Sequence, residues 1–138
     1  MLFTIHADGG ARGNPGPAGA GAVVRDELGT TVATVSKFLG HQTNNVAEYE
    51  AVILAFDEVL KLSKGKAAEV SVVVKMDSLL VVRQMQGEWR VKHPNMKPQY
   101  ARLVQKAGAF KSVTFTHIPR EQNGDADTLA NDAMDRGA

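Results

Sequence analysis

Near Asn45 the apolar spacing of this 138-residue chain changes period. Upstream, "LFTIHA" and the two β-branched runs of "GAGAVVRDELGTTVATVSKFL" read as strands, the latter pair joined at "DELG", where Gly29 can take the positive φ of a hairpin loop. Downstream, Val52, Ala55, Phe56, Val59 and Leu62 recur three or four apart, one face of an amphipathic helix from Asn45 to about Leu62. "EVSVVVKM" follows as an almost continuous apolar strand of the kind buried on both faces. "SLLVVRQMQGEW" and "PNMKPQYARLVQKAGAF" predict helices, "SVTFTHI" a last strand, and "NGDADTLANDAMDR" a last helix. A hairpin followed by crossover units requires an α/β fold: a mixed five-stranded sheet, an antiparallel hairpin plus parallel strands, with helices on both faces.

Residues 1–138 are expected to form one domain, a length that suffices for one core and leaves open whether it is the N-terminal domain of a longer protein. The chain contains no cysteine, which excludes disulfides and thiolate metal sites and suits a reducing, cytoplasmic setting. No apolar run is long enough to span a bilayer, so no membrane partner is expected. A formal net charge of +1 leaves a nucleic-acid partner to be argued from local patches.

Four acids stand at junctions between these elements: Asp8 at the end of the first strand, Glu48 in the first turn of the long helix, Asp77 between "EVSVVVKM" and its helix, and Asp127 in the first turn of the last helix. Each has a plain structural reading. Asp77 can cap "SLLVV", "NVAE" from Asn45 to Glu48 fits a capping box, Asp8 can serve a turn, and Asp127 suits a helix N-terminus. Their joint placement favours another reading. If the first strand lies beside "EVSVVVKM", Asp8 and Asp77 emerge together at the carboxyl edge of an open sheet, where ligands bind, and Glu48 can face them. Clustered carboxylates repel unless cations neutralise them, and hard oxygen donors select Mg²⁺ or Mn²⁺. Phosphoryl transfer is the chemistry such a site suits.

"DGGARGNPGPAGAGAVV", "TNNVAEYEAV", "MDSLLVVRQM" and "IPREQNGDADTLAN", in this order, resemble type 1 ribonuclease H over nearly the whole chain. The resemblance implies a ribonuclease H-like fold and an endoribonuclease that cuts the RNA strand of RNA–DNA hybrids, leaving 5′-phosphate and 3′-hydroxyl ends. It implies two Mg²⁺ ions, with Mn²⁺ as a substitute, held by Asp8, Glu48, Asp77 and Asp127. Asp8 and Asp77 would serve both ions, Glu48 one ion and the RNA, and Asp127 the other ion. Asn123 and Leu129-Ala130 match the pattern that selects Asp127 over Asp125. By the same resemblance Gly10, Arg12, Gly13 and Asn14 would line the RNA strand. Asn45 and Gln84 would reach the minor groove, and Thr43 and Asn44 would grip the DNA strand. The loop "GGARGNPG" suits the close backbone approach that reading 2′-hydroxyls requires, and equally suits a turn into the hairpin.

Between Arg83 and Lys106 six cations, Arg83, Arg90, Lys92, Lys97, Arg102 and Lys106, face the single acid Glu88. This patch can dock phosphates with Trp89 against a sugar, or form a solvated helix face with Trp89 in the core. The segment is too short for the full basic protrusion of the longest family members. Arg120, in the loop before Asp127, is the functional candidate there, His117 a packed or edge residue, and His6 a structural residue on the strand face opposite Asp8. A monomer is expected, with double-stranded RNA as a further candidate substrate. The rivals are a silent hybrid- or double-stranded-RNA-binding module, against which all four acids argue, and a DNA-directed nuclease or strand-transfer enzyme of similar fold.

Overall fold

The computed structural model describes residues 1–138. The strands are β1 (Leu2–Ala11), β2 (Gly16–Arg25), β3 (Thr31–Gln42), β4 (Ser71–Met76) and β5 (Ser112–His117); the helices are α1 (Asn44–Ser63), α2 (Leu79–Met85), α3 (Lys97–Ala107) and α4 (Gly124–Arg136). They build one mixed sheet of order β3-β2-β1-β4-β5. β1, β2 and β3 pair antiparallel, whereas β4 joins β1 and β5 in parallel. As expected, the first strand is central and borders "SVVVKM". No helix is long and apolar enough to cross a membrane.

The period-two alternation of β1 sends Phe3, Ile5 and Ala7 into a core shared with Tyr49, Val52, Ile53, Phe56 and Val59 of α1. Phe56 meets Phe110 edge to face at 5.4 Å. α4 packs on the opposite side, over β2, β1 and β3. The strand covered on both faces is therefore β2, not β4 as its apolar run suggested. β4 alternates, with Val72, Val74 and Met76 buried and Val73 and Lys75 half-exposed, because α4 leaves its outer face partly open.

Glycines set how closely the two helices approach. A Cβ on Gly9 would overlap the backbone of Ala47 and Glu48, and one on Gly21 would overlap the Ala126 carbonyl and the Ala130 amide. Gly9 and Gly10 thus belong to β1, and the free loop is shorter than "GGARGNPG" implied. The small residues Ala126, Ala130 and Ala133 complete the α4 contact.

Two helix starts differ from the expected ones. Thr43 caps α1 by accepting the Val46 amide, which places Glu48 in the second turn rather than the first. Ser78 caps α2 through the Val81 amide, so Asp77 carries no capping bond. His6 shares the face of Asp8, since alternate residues of a strand point the same way. There it lies 3.3 Å from Arg25, whose guanidinium pairs with Asp125 at 2.8 Å. His117 ends the edge strand β5, exposed.

Candidate active site

The β1–β4 register pairs His6 with Lys75, so two residues further Asp8 and Asp77 stand level at the carboxyl ends of adjacent central strands. α1, pressed onto Gly9, brings Glu48 to one side. α4, pressed onto Gly21, brings Asp127 to the other. The four carboxylates line one crevice of about 480 Å³ with Gly10, Arg12, Asn44, Asn45, Arg120 and Asn131.

The electrostatics register this crowding. Burial is the main cause that pushes the Asp8 carboxyl up to about 8, reinforced by its hydrogen bond with Asp127 and by the charges of Asp77, Asp127 and Glu48. Burial also pushes Glu48 up to about 7; the Ser78 hydroxyl, donating to it, acts in the opposite direction, and the Asp77 charge adds to the rise. Two guanidiniums line the crevice, but Arg12 is paired with Asp135 at 2.6 Å, which leaves Arg120 to set against the four carboxylates. Neither histidine nor cysteine lines the crevice, so the donors are oxygens, the set that suits a hard divalent cation. No three of these side chains converge on one liganding point as they stand. The fit to a cation rests on the donor chemistry and on the uncompensated charge.

Around the crevice the anticipated substrate residues separate into groups. Gly10, Arg12, Asn44, Asn45 and Arg120 line it directly. Gly13 forms the turn beyond it at φ 86°, while Asn14, Thr43 and Asn45 line a neighbouring recess with His93 and Asn95. The Asn14 side-chain oxygen accepts the Asn44 amide at 3.0 Å, and the Asn44 oxygen accepts the Ala11 amide at 2.7 Å. With one lone pair of each oxygen engaged, each amide side chain keeps its NH₂ group and its second lone pair to offer a ligand.

Gln84 is a correction. It is 2% exposed, accepts the Tyr49 hydroxyl at 2.6 Å and donates to the Arg90 carbonyl, so it holds a loop and presents nothing to a minor groove. Trp89, on the loop it holds, is 46% exposed and therefore not a core residue. The basic segment is also partly neutralised: Arg83 pairs with Glu88, Arg102 with Glu50 and Lys106 with Asp57, leaving Arg90, Lys92 and Lys97 without carboxylate partners. Asn123, used in the sequence only to align Asp127, is buried against Asp77, with its side-chain NH₂ 2.9 Å from the carboxylate. The one signal for it was its place four residues before that acid.

A mixed sheet of order β3-β2-β1-β4-β5, with acids at the ends of its two central strands and one more from a helix on each face, defines the ribonuclease H class of fold. The family profile described as "Reverse transcriptase-like" matches residues 6–133, and the chain belongs to this family, in its type 1 ribonuclease H branch. It is 48% identical over its whole length to "Bifunctional protein Rv2228c" of Mycobacterium tuberculosis, but spans only 37% of that relative. It is 36% identical to "Ribonuclease HI" of Halobacterium salinarum, with 95% of this chain and 64% of that protein aligned. LC11-RNase H1, whose structure was solved in complex with an RNA/DNA hybrid, superposes with a TM-score of 0.91 at 47% identity, covering 97% of each chain.

Proposed function

We propose that this chain is an endoribonuclease that hydrolyses the RNA strand of RNA–DNA hybrids, using Mg²⁺, or Mn²⁺ in its place, held by Asp8, Glu48, Asp77 and Asp127. The observation that carries this reading is that four carboxylates, from β1, α1, α4 and the β4–α2 connection, line one crevice walled by amide and guanidinium donors. The hybrid in the complex of LC11-RNase H1 supports the choice of substrate. Two such ions, held by these carboxylates, would supply activation of a water and stabilisation of the charge on the leaving oxygen. Departure of the RNA 3′-oxygen leaves 5′-phosphate and 3′-hydroxyl ends.

The chain's own groups orient the substrate. Asn45 at the start of α1, with the backbone at Gly10 and Gly13 and the side chain of Asn14, would face the strand whose 2′-hydroxyls distinguish RNA from DNA. Arg12 and Arg120 offer charge-assisted bonds to its phosphates. Thr43 and Asn44 would hold the DNA strand, and Trp89 with Arg90, Lys92 and Lys97 would extend that contact. Double-stranded RNA is the further candidate substrate, and the expected state is a cytoplasmic monomer.

Asp77→Asn tests the assignment, because it keeps the side-chain shape and removes its charge. Hybrid cleavage should fall at least 10²-fold, in line with the loss of a group that stabilises transition-state charge, while hybrid binding in a gel-shift assay persists. A variant that cleaves like the parent would remove Asp77 from the reaction. A parent that binds hybrid and never cuts it would make this chain a binding module.

A further inference from the structure

Asn123 lies in the connection into α4 and is 1% exposed. Its side-chain nitrogen donates to the Ala7 carbonyl and to Asp77 Oδ1, each at 2.9 Å. Its own carbonyl accepts the Asp127 amide at 3.0 Å. One buried residue therefore touches the backbone immediately before Asp8, the carboxylate of Asp77, and the first turn that carries Asp127. The amide orientation is unambiguous, because both neighbours of the nitrogen are acceptors. Its oxygen, in contrast, is buried without any partner.

An unpaired buried oxygen is costly, and an apolar residue of similar size would avoid that cost. What the amide contributes is its two donated bonds, one to each central strand. An aspartate here would set a second carboxylate against Asp77 and the Ala7 carbonyl, and a leucine would offer no donor.

We infer that Asn123 is the positioning residue of the site: it fixes the Asp77 carboxylate relative to the end of β1 and seats α4 so that Asp127 faces Asp8. It touches neither the ion nor the substrate. Its action is that of an outer partner that orients a metal ligand, a role whose loss weakens metal affinity or activity by roughly 10–100-fold. This inference rests on the proposal that the carboxylates hold divalent cations.

The test uses the full chain as Asn123→Ala and, retaining a shorter hydroxyl donor, Asn123→Ser, with Ser63→Ala as a control. Ser63 is buried and bonded to the Val59 carbonyl in α1, away from the crevice. The cation midpoint is the Mg²⁺ dissociation constant obtained by fitting the rise in melting temperature with Mg²⁺ concentration to ligand linkage, and for Mn²⁺ by calorimetry. Hybrid cleavage is then measured across the same Mg²⁺ range. For Asn123→Ala the Mg²⁺ midpoint should rise at least tenfold, with cleavage partly restored by excess Mg²⁺ and hybrid KM changed less than twofold. Asn123→Ser should fall between, and it decides the outcome if the alanine variant does not fold. Ser63→Ala should lower the melting temperature and leave the midpoint alone. Folded Asn123 variants with the parental midpoint would overturn the inference while leaving the metal site standing. A parent protein that shows no Mg²⁺ response would sink the metal reading, and the inference with it.

Discussion

Removing the charge of Asp8 should stabilise the protein while abolishing its chemistry. Its carboxyl is displaced from 3.8 to about 8, chiefly by burial and then by Asp127, Asp77 and Glu48. At about 1.4 kcal/mol per pH unit, a rise of about four units caps the charge penalty at about 6 kcal/mol. Solvent on the open side of the crevice and small movements of α4 reduce this, so Asp8→Asn should gain about 2–3 kcal/mol at pH 8, or about 6–10 °C in melting temperature for a chain of this size. The sign with pH follows from linkage. Well below pH 3.8 the carboxyl is protonated in both folded and unfolded chains, and the parent carries no penalty. As pH rises towards 8 the unfolded chain releases its proton first, and the parent loses stability. The difference between variant and parent should therefore be small at pH 4 and grow up to pH 8. Thermal melts by circular dichroism in a chelating buffer, at half-unit steps, measure it. Added Mg²⁺ should raise the parent more than the variant, because a bound cation removes the same repulsion. A variant no more stable than the parent at pH 8 without metal, or a gain that does not vary with pH, would refute the reasoning.

Gly21→Ala should push α4 off β2, lowering stability by about 1–3 kcal/mol and hybrid cleavage by a larger factor than stability alone explains; thermal melts and initial rates on the folded variant measure both. Gln84→Ala leaves the Tyr49 hydroxyl without its partner and should cost about 1–3 kcal/mol, with a change in tryptophan emission because it frees the loop that carries Trp89. Since Trp89 is the sole tryptophan and is 46% exposed, hybrid binding should change its fluorescence, and an unaltered spectrum at saturation would remove it from the interface. Arg12→Ala breaks an exposed pair with Asp135, so stability should move by less than about 1 kcal/mol while hybrid KM rises.

What could be read from the sequence depended on how local the determining physics is. The change of apolar period at α1 and the hairpin at Gly29 are local, and both stand in the structure. The level placement of Asp8 and Asp77 followed from one topological inference, that β1 borders β4. Caps were harder, because Thr43, Asn44 and Asn45 can all cap a helix, as can Asp77 and Ser78. Which one does depends on a backbone path that neighbouring strands set. Gln84 was misread since its partners, Tyr49 and the Arg90 carbonyl, are brought together only by the fold. The cations of residues 83–106 looked free for the same reason: Glu50 and Asp57, which neutralise two of them, lie on α1. Gly9 and Gly21 read as loop and strand residues, yet they set the helix contacts that bring Glu48 and Asp127 to Asp8.

The most direct measurement of the central claim is cleavage of end-labelled RNA–DNA hybrid, double-stranded RNA and double-stranded DNA side by side in Mg²⁺ and then Mn²⁺, with product ends identified by their response to phosphatase. The account predicts internal cuts in the RNA strand of the hybrid, products bearing 5′-phosphates, and no cutting of duplex DNA. Cutting of duplex DNA, or hybrid cleavage that continues unchanged in excess chelator, would contradict it.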